Sequence, residues 1–434
     1  MTRTTALGLD FGTTNTVGAM VDAGGAIRTI ELPFEGETSE VFRTVLCYWR
    51  DLVGGVSLPM VEAGPHAVAK FIEERESCRF LQSIKTLAAS RSFEDTRVNG
   101  KAQTYPDLMG TFFRLYARHA GAALATLPKR LVLGRPVVFA GHAADADLAI
   151  RRYRAALEPF GFEEILTVHE PVAAAYFFAQ RLTGPATVLV GDFGGGTSDF
   201  SIIRFEPRAG RVGATPLGRS GVGVAGDRFD AAIIDHVVAP HLGKGSSYVS
   251  FGKTLEVPRH YHADLANWSR LALMRSNKTL SELKKLAFLA KDPAPLERLI
   301  AFVEREQAYP LYKAIADAKI ALSAASETVL RFEAGDETIE RRVTRADFER
   351  WIAPDLERIG QAIDEALADA RLDASGVDRV FLTGGSSYVP AVRRLFEERF
   401  APDRIETGDQ LVSIAYGLAL IGAEEDPTPW LAAA

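Results

Sequence analysis

Near the start of the chain stands Asp10-Phe11-Gly12-Thr13-Thr14-Asn15, and far downstream stands Asp192-Phe193-Gly194-Gly195-Gly196-Thr197. Each sets a carboxylate before a run of small and hydroxylic residues, and Asp199 follows the second run closely. Such runs suit a polyphosphate, because backbone N–H groups can hold its charges where no side chain blocks approach. Glycine permits that approach and also permits positive φ. Thr13, Thr14 and Thr197 add hydroxyl donors. Mg2+ keeps most of its waters and needs only one or two carboxylates beside phosphate oxygens, which suits Asp10 and Asp192. Taken singly, either stretch also suits an ordinary hairpin, since Asp and Gly are common turn residues. A matching pair, together with Thr383-Gly384-Gly385-Ser386-Ser387 before a helix, favours phosphate binding.

These turns need elements to position them. Leu7-Gly8-Leu9 precedes the first and Val17 to Val21 follows it; Val188-Leu189-Val190 precedes the second and Phe200 to Ile203 follows it. The spacing predicts two β-hairpins separated by a domain-sized offset, hence an internal duplication rather than a solenoid. Thr344-Arg345-Ala346-Asp347 is a capping box, and Phe348, Ile352, Leu356, Ile359, Ile363 and Leu367 then trace one apolar helix face. A buried strand is expected at Val380-Phe381-Leu382 and a helix from Val389, with Pro390 suited to its first turn. Strands alternating with helices place the chain in the α/β class. Ser269 to Ile320 reads as a charged helical subdomain, with Lys284, Lys285, Lys291, Glu304, Arg305 and Glu306.

Composition excludes several other classes. At 434 residues two or three domains are expected, and 47% hydrophobic with 24% charged residues is an ordinary globular balance. A net charge of −6 argues against nucleic acid or an anionic membrane as partner. Cys47 and Cys78 are the only cysteines, so no disulfide framework is expected, and no apolar run is long enough for a leader or a membrane span. The cytoplasm is the expected compartment. His260 and His262 lack further ligands nearby and read as surface or helix-entry residues. Gly221-Val222-Gly223-Val224-Ala225-Gly226 spells a dinucleotide fingerprint, but Thr215 to Ser220 before it does not read as the apolar strand that motif requires. No Walker-type loop occurs.

The same residues carry a family resemblance. The chain resembles the nucleotide-binding domain of DnaK-type heat-shock chaperones, the heat shock protein 70 family, and within that group the short YegD-type proteins. Leu7–Asn15 and Val190–Ile203 resemble the two phosphate motifs, and Leu382–Val392 the adenosine motif. Val132–Val138, Glu170–Ala175 and Ala415-Tyr416-Gly417 resemble the connecting segments, and Thr344–Phe348 resembles a helix start of the family. The match runs in order from residue 6 to about 422.

The resemblance implies a two-lobe, actin-like ATPase fold of the ribonuclease H-like kind, with duplicated α/β domains. Lobe I would comprise residues 1–183 and 406–425, and lobe II residues 184–405, with its helical subdomain at about 244–320. It implies binding of ATP with Mg2+, slow hydrolysis to ADP, and closure of the lobes. Asp10, Asp192 and Asp199 would surround Mg2+ and its waters. Gly12, Thr13, Thr14, Asn15, Gly194, Gly195, Gly196 and Thr197 would hold the phosphates. Lys85 falls where the family keeps its catalytic lysine, Glu170 would orient metal-bound water, and Pro136 would belong to the switch. Gly226, Asp227, Lys319, Ser323, Gly384, Gly385, Ser386 and Tyr388 would line the adenosine. Partners implied are ATP and an unfolded protein or a co-chaperone-like protein.

Departures from the pattern matter. Where the chaperones present an arginine to the adenine, this chain has Ile320 and Tyr388, which lose a guanidinium's hydrogen bonds. Leu411 replaces an acidic residue near the last connecting helix. The chain closes on Trp430-Leu431 and alanines, so the ATPase part alone is expected, without a peptide-binding domain. Three readings compete with a chaperone-like ATPase on the same fold: a nucleotide-gated adaptor with little turnover, an actin-like filament protein, and a small-molecule kinase.

Overall fold

The computed structural model describes residues 5–73, 78–140, 143–208, 211–266, 274, 277–305, 307–407 and 412–432. Ser269, Glu306 and Leu411 lie outside the described residues. The chain divides into two compact units. One contains the residues up to Gly226, Glu357–Ser387 and those from Val392 on; the other contains Asp227–Leu356 and Tyr388–Ala391.

The first unit holds two sheets of one topology. The strands β1 (Ala6–Phe11), β2 (Asn15–Val21), β3 (Ile27–Thr29), β4 (Arg130–Arg135) and β5 (Glu164–His169) run in the order β3-β2-β1-β4-β5. The strands β6 (Ala186–Phe193), β7 (Ser198–Arg208), β8 (Arg211–Val222), β9 (Arg379–Thr383) and β10 (Ile405–Thr407) run in the order β8-β7-β6-β9-β10. In both sheets the first three strands are antiparallel neighbours, and the last two continue in parallel from the first. The duplication read from the motifs is thus a duplication of strand order. Along β6 every residue is buried, as expected of a central strand covered on both faces.

Helices α1 (Tyr105–Ala120) and α2 (Ala146–Leu157) pack together, and their aromatic and aliphatic side chains join one core with Leu7, Leu9, Phe11, Leu131 and Leu133. Two other helices cross over between the sheets. Helix α3 (Glu170–Ala179) follows β5 of the first sheet yet packs on β6 and β7 of the second. A later helix, Ser413–Gly422, follows β10 of the second sheet yet packs on β1 and β2 of the first. The two helices also pack on each other, and Ala173, Val188, Val190, Phe381, Ile414 and Leu418 share one core.

Missing side chains make that crossing possible. A Cβ at Gly8 would lie 2.3 Å from the Ala419 nitrogen, and one at Gly417 only 1.8 Å from the Ala173 carbonyl oxygen. Alanine is normally better than glycine inside a helix by about 1 kcal/mol. Here the collision reverses the sign. Gly417→Ala is expected to destabilise by about 2 kcal/mol or more, since overpacking against backbone finds no flexible group to yield. Urea unfolding measures it; a midpoint equal to or above wild type would contradict this close helix contact.

The second unit carries the helices Asn277–Leu289, Ala294–Glu304 and Ala308–Ala324 and a hairpin of Glu327–Ala334 with Glu337–Thr344. Half of the capping box forms as read: Thr344 Oγ1 accepts from the Asp347 amide at 3.1 Å, while the Asp347 carboxylate takes the Thr344 hydroxyl at 2.7 Å. It opens α4 (Arg345–Asp369), on which Phe348, Ile352, Ile359, Ile363 and Leu367 are buried and Leu356 is half-buried.

His260 and His262 stand at a helix entry, in the first turn of His260–Leu265, as one of the two readings had it; His262 is buried there rather than at the surface, with Nε2 3.0 Å from the Leu242 carbonyl. Thr215 to Ser220 lie in a strand, within β8, but only Gly218 among them is buried, so this is not the apolar strand a dinucleotide motif requires; ladder pairing with β7 does not need apolar side chains along an edge. That strand is antiparallel to its neighbour, so it supplies no parallel β-α-β unit for a dinucleotide. Cys47 and Cys78 are both buried. Among the described residues no helix is long and apolar enough to cross a membrane.

Candidate functional site

The two hairpin turns are built alike. Phe11 pairs with Thr16 and Phe193 with Ser198, which leaves Gly12 to Asn15 and Gly194 to Thr197 as four-residue loops. Each loop closes through its first glycine: Gly12 N donates to Asn15 O at 2.9 Å, and Gly194 N to Thr197 O at 3.0 Å. A Cβ on Gly12 would strike the Asn15 carbonyl at 2.3 Å, so the first turn has no room for a side chain there. A Cβ on Gly196 would lie 3.8 Å from Thr13 Oγ1, which places the two turns beside one another. Thr13 is buried, while Thr14, Asn15, Gly195 and Thr197 are half-buried. Arg43 Nη1 donates to Asn15 Oδ1 at 3.2 Å.

The residues facing the two aspartates differ between the copies. Asp10 faces Val17, whereas Asp192 faces Asp199. Asp199 is buried; its Oδ1 accepts from the Val137 and Val138 amides at 2.8 and 3.1 Å, and among the described residues its Oδ2 accepts no hydrogen bond.

Lys85 sits on the short 3-10 turn Ile84–Leu87, entered through Ser83 in the left-handed region at φ 55°. Arg152 on α2 holds this segment by donating to the carbonyls of Leu87, Ala88 and Ser90 at 2.9, 2.9 and 3.0 Å. Lys85 is therefore no solvated surface residue. It is 9% exposed, and its Nζ lies 2.6 Å from Oε1 of the equally buried Glu170, the first residue of α3. Gly134 makes room for that carboxylate, since a Cβ there would lie 3.0 Å from Glu170 Cγ.

Charge in this pocket is unbalanced. Burial, the Glu170 charge and, in opposition, Lys85 bring Asp10 to about 7. Burial and Glu170, against the Thr197 hydroxyl and the two amides, bring Asp199 to about 7. Burial, then Glu170, Asp10 and Asp199, push Asp192 well above the usual carboxylate range. Burial opposes charge on Lys85, but Glu170, Tyr153 and Asp10 outweigh it and raise the lysine above its ordinary value. Four carboxylates around one lysine call for a cation. Among the described residues no three His, Cys, Asp or Glu side chains are placed to hold one ion directly. The hard oxygen donors and the unpartnered Asp199 Oδ2 fit a hydrated Mg2+ held mainly through its waters.

Gly384, at the end of β9, has φ 84°, and a Cβ there would strike the Phe193 carbonyl at 2.1 Å. This turn therefore passes directly against the second hairpin. Gly385 opens the short helix Gly385–Tyr388, and Ser386 is buried. Gly226 N lies 3.4 Å from Gly194 O, linking that hairpin to the next helix. In the second unit Lys319 Nζ lies 2.7 Å from Asp230 Oδ1, Ser323 Oγ donates to Lys319 O at 3.1 Å, and Asp227, Ile320 and Tyr388 are exposed.

The structure thus brings together Asp10, Gly12, Thr13, Lys85, Glu170, Asp192, Gly194, Gly196, Asp199 and Gly384. Sequence reasoning overlooked Tyr153, the Val137 and Val138 amides, and Arg135. Only Arg135 left a signal: it is a lone charge in the otherwise apolar run from Val132 to Val138.

Comparison with known proteins agrees with the geometry. The family model described as Hsp70 protein matches residues 151–246 and 301–428, just over half of the chain. The chain belongs to the Hsp70 family. It is 28% identical over 439 residues to the chaperone protein DnaK of Deinococcus radiodurans, covering 96% of this chain and 59% of that protein. It is 27% identical to the chaperone protein DnaK of Thermus thermophilus, covering 94% and 59%, and 25% identical to that of Guillardia theta, covering 94% and 58%. The chain therefore spans about three fifths of the length of these relatives.

Proposed function

We propose that the chain binds ATP with Mg2+ between the Asp10 and Asp192 hairpins and hydrolyses it slowly. The observation that carries this reading is the buried Lys85–Glu170 pair at 2.6 Å, set among three carboxylates whose excess charge suits a cation. Mg2+ would be held through water by Asp10, Asp192 and Asp199, and when bound it would neutralise charge on the phosphates. The amides and hydroxyls of the two turns would position the terminal phosphoryl group. Lys85 would face the charge that develops on it, and Glu170 would hold the lysine in place and orient an attacking water. Because each hairpin belongs to its own sheet, only a ligand that touches both turns favours their approach. ATP should therefore close them more strongly than ADP. A client or co-chaperone-like partner would read that difference.

The primary test is phosphate release from ATP by the purified chain, alone and with unfolded peptide. A companion variant separates binding from folding. The Asp192 carboxyl is pushed up by burial, so its charged form costs stability at neutral pH. Asp192→Asn is expected to raise the thermal midpoint of the ligand-free protein while removing the Mg2+-dependent part of nucleotide binding in calorimetry. Undiminished Mg2+-dependent binding would sink the assignment.

A further inference from the structure

Arg135 ends β4, opposite His169 in the parallel register at the end of β5. It is 6% exposed, yet among the described residues no carboxylate forms an ion pair with it. Its Nε donates to the Pro136 carbonyl at 3.3 Å, and its guanidinium stands 5.3 Å from the centre of the Phe139 ring. Glu170 and Asp199 act on it only through space, and burial draws its pKa below the ordinary arginine value. A buried guanidinium without a counterion is costly, and truncation or pairing would relieve it.

A second arginine faces the same place. Arg219 on β8 is exposed, and its Nη1 lies 3.0 Å from His169 Nε2, so the ring nitrogen accepts that hydrogen bond. Burial, with Arg135 and Arg219, holds His169 at about 4, so the imidazole is neutral. The Arg219 amide, not its side chain, binds Asp369. Two guanidinium groups thus meet at the carboxyl ends of two parallel strands, where open α/β sheets bind ligands. One is deep and one is at the surface.

We propose that Arg135 and Arg219, with His169 between them, form a site for a phosphate-class oxyanion, either the terminal phosphoryl of bound nucleotide or the orthophosphate freed from it. The planar fork of arginine matches phosphate geometry. A guanidinium only 6% exposed suits a small ion better than the side chain of a partner protein. No assigned residue of the phosphate turns contributes to this site. The inference rests on the reading that phosphate is handled next door, at Lys85.

Calorimetric titration of inorganic phosphate into the chain with Mg-ADP tests it, beside Arg135→Gln, Arg135→Lys and Arg219→Gln. Losing a charge-assisted hydrogen bond should weaken phosphate roughly tenfold or more. The lysine, which keeps the charge and loses the fork, should fall between wild type and glutamine. If the site serves free orthophosphate, the ratio of ATP to ADP affinity stays as in wild type; if it serves the terminal phosphoryl, that ratio falls with phosphate affinity. Either result supports the site. Wild-type phosphate affinity and an unchanged ATP-to-ADP ratio in Arg219→Gln, a surface substitution that should not disturb folding, overturn it. Arg-dependent phosphate binding without any ATP turnover would instead refute the hydrolysis reading and leave this site standing.

Discussion

Lys85→Ala is expected to lower ATP turnover by about two to three orders of magnitude while changing nucleotide Kd little. A preorganised positive group acts mainly where charge develops in the transition state, and removing one such group typically costs that much in kcat. The same substitution strands Glu170, which is buried with its Oε1 2.6 Å from the lysine. Breaking a buried pair by removing one member costs about 3–5 kcal/mol, so the single variant should also lose stability. A second change separates the two effects. Lys85→Ala with Glu170→Gln removes the stranded charge and should recover much of the stability while turnover stays low. Steady-state phosphate release with thermal unfolding measures both. Full turnover in a folded Lys85→Ala protein would make this lysine a structural counterion and nothing more.

The ligand-free protein should lose stability as pH rises from about 4 to about 7. Asp10 and Asp199 have an ordinary value of 3.8 and are raised to about 7 in the folded chain by burial and by Glu170. Between those values the folded state binds protons that the unfolded state has released, so the contribution of these two groups to stability falls with rising pH and levels off above about 7. A tenfold difference in proton affinity between the two states is worth about 1.4 kcal/mol, which puts the combined loss at several kcal/mol. A cation favours the ionised carboxylates, so Mg-nucleotide should restore more stability at pH 8 than at pH 5 and should release protons on binding near pH 7. Unfolding midpoints across this range, and calorimetry in buffers of different ionisation enthalpy, measure the two effects. A flat profile without ligand would mean that Lys85 and Arg135 already balance the carboxylates.

Much of the fold was legible because its signals are local. A glycine that must donate to the residue three further on, as Gly12 and Gly194 do, shows in the small-residue run itself. Apolar strands on either side of each turn predict hairpins, and a repeated hairpin predicts a repeated sheet, which the shared strand order bears out. The cap at Thr344 depends only on residues three apart, and its hydroxyl takes the Asp347 amide as expected. The sequence by itself therefore determined the α/β class, the duplication and the Hsp70 membership.

Other features depend on residues distant in the chain, and only the tertiary structure decided them. Nothing around Lys85 announces burial; its environment comes from Glu170, delivered by another helix, and from the Arg152 clamp on its turn. Gly417 is small because Ala173 of a different helix crosses it. Arg135, His169 and Arg219 lie on three strands, and only strand pairing and packing set their charges together. Local sequence governs hydrogen bonds within a turn or a helix end, but burial and counterion balance are properties of the packed core, where residues far apart in sequence set one another's charge.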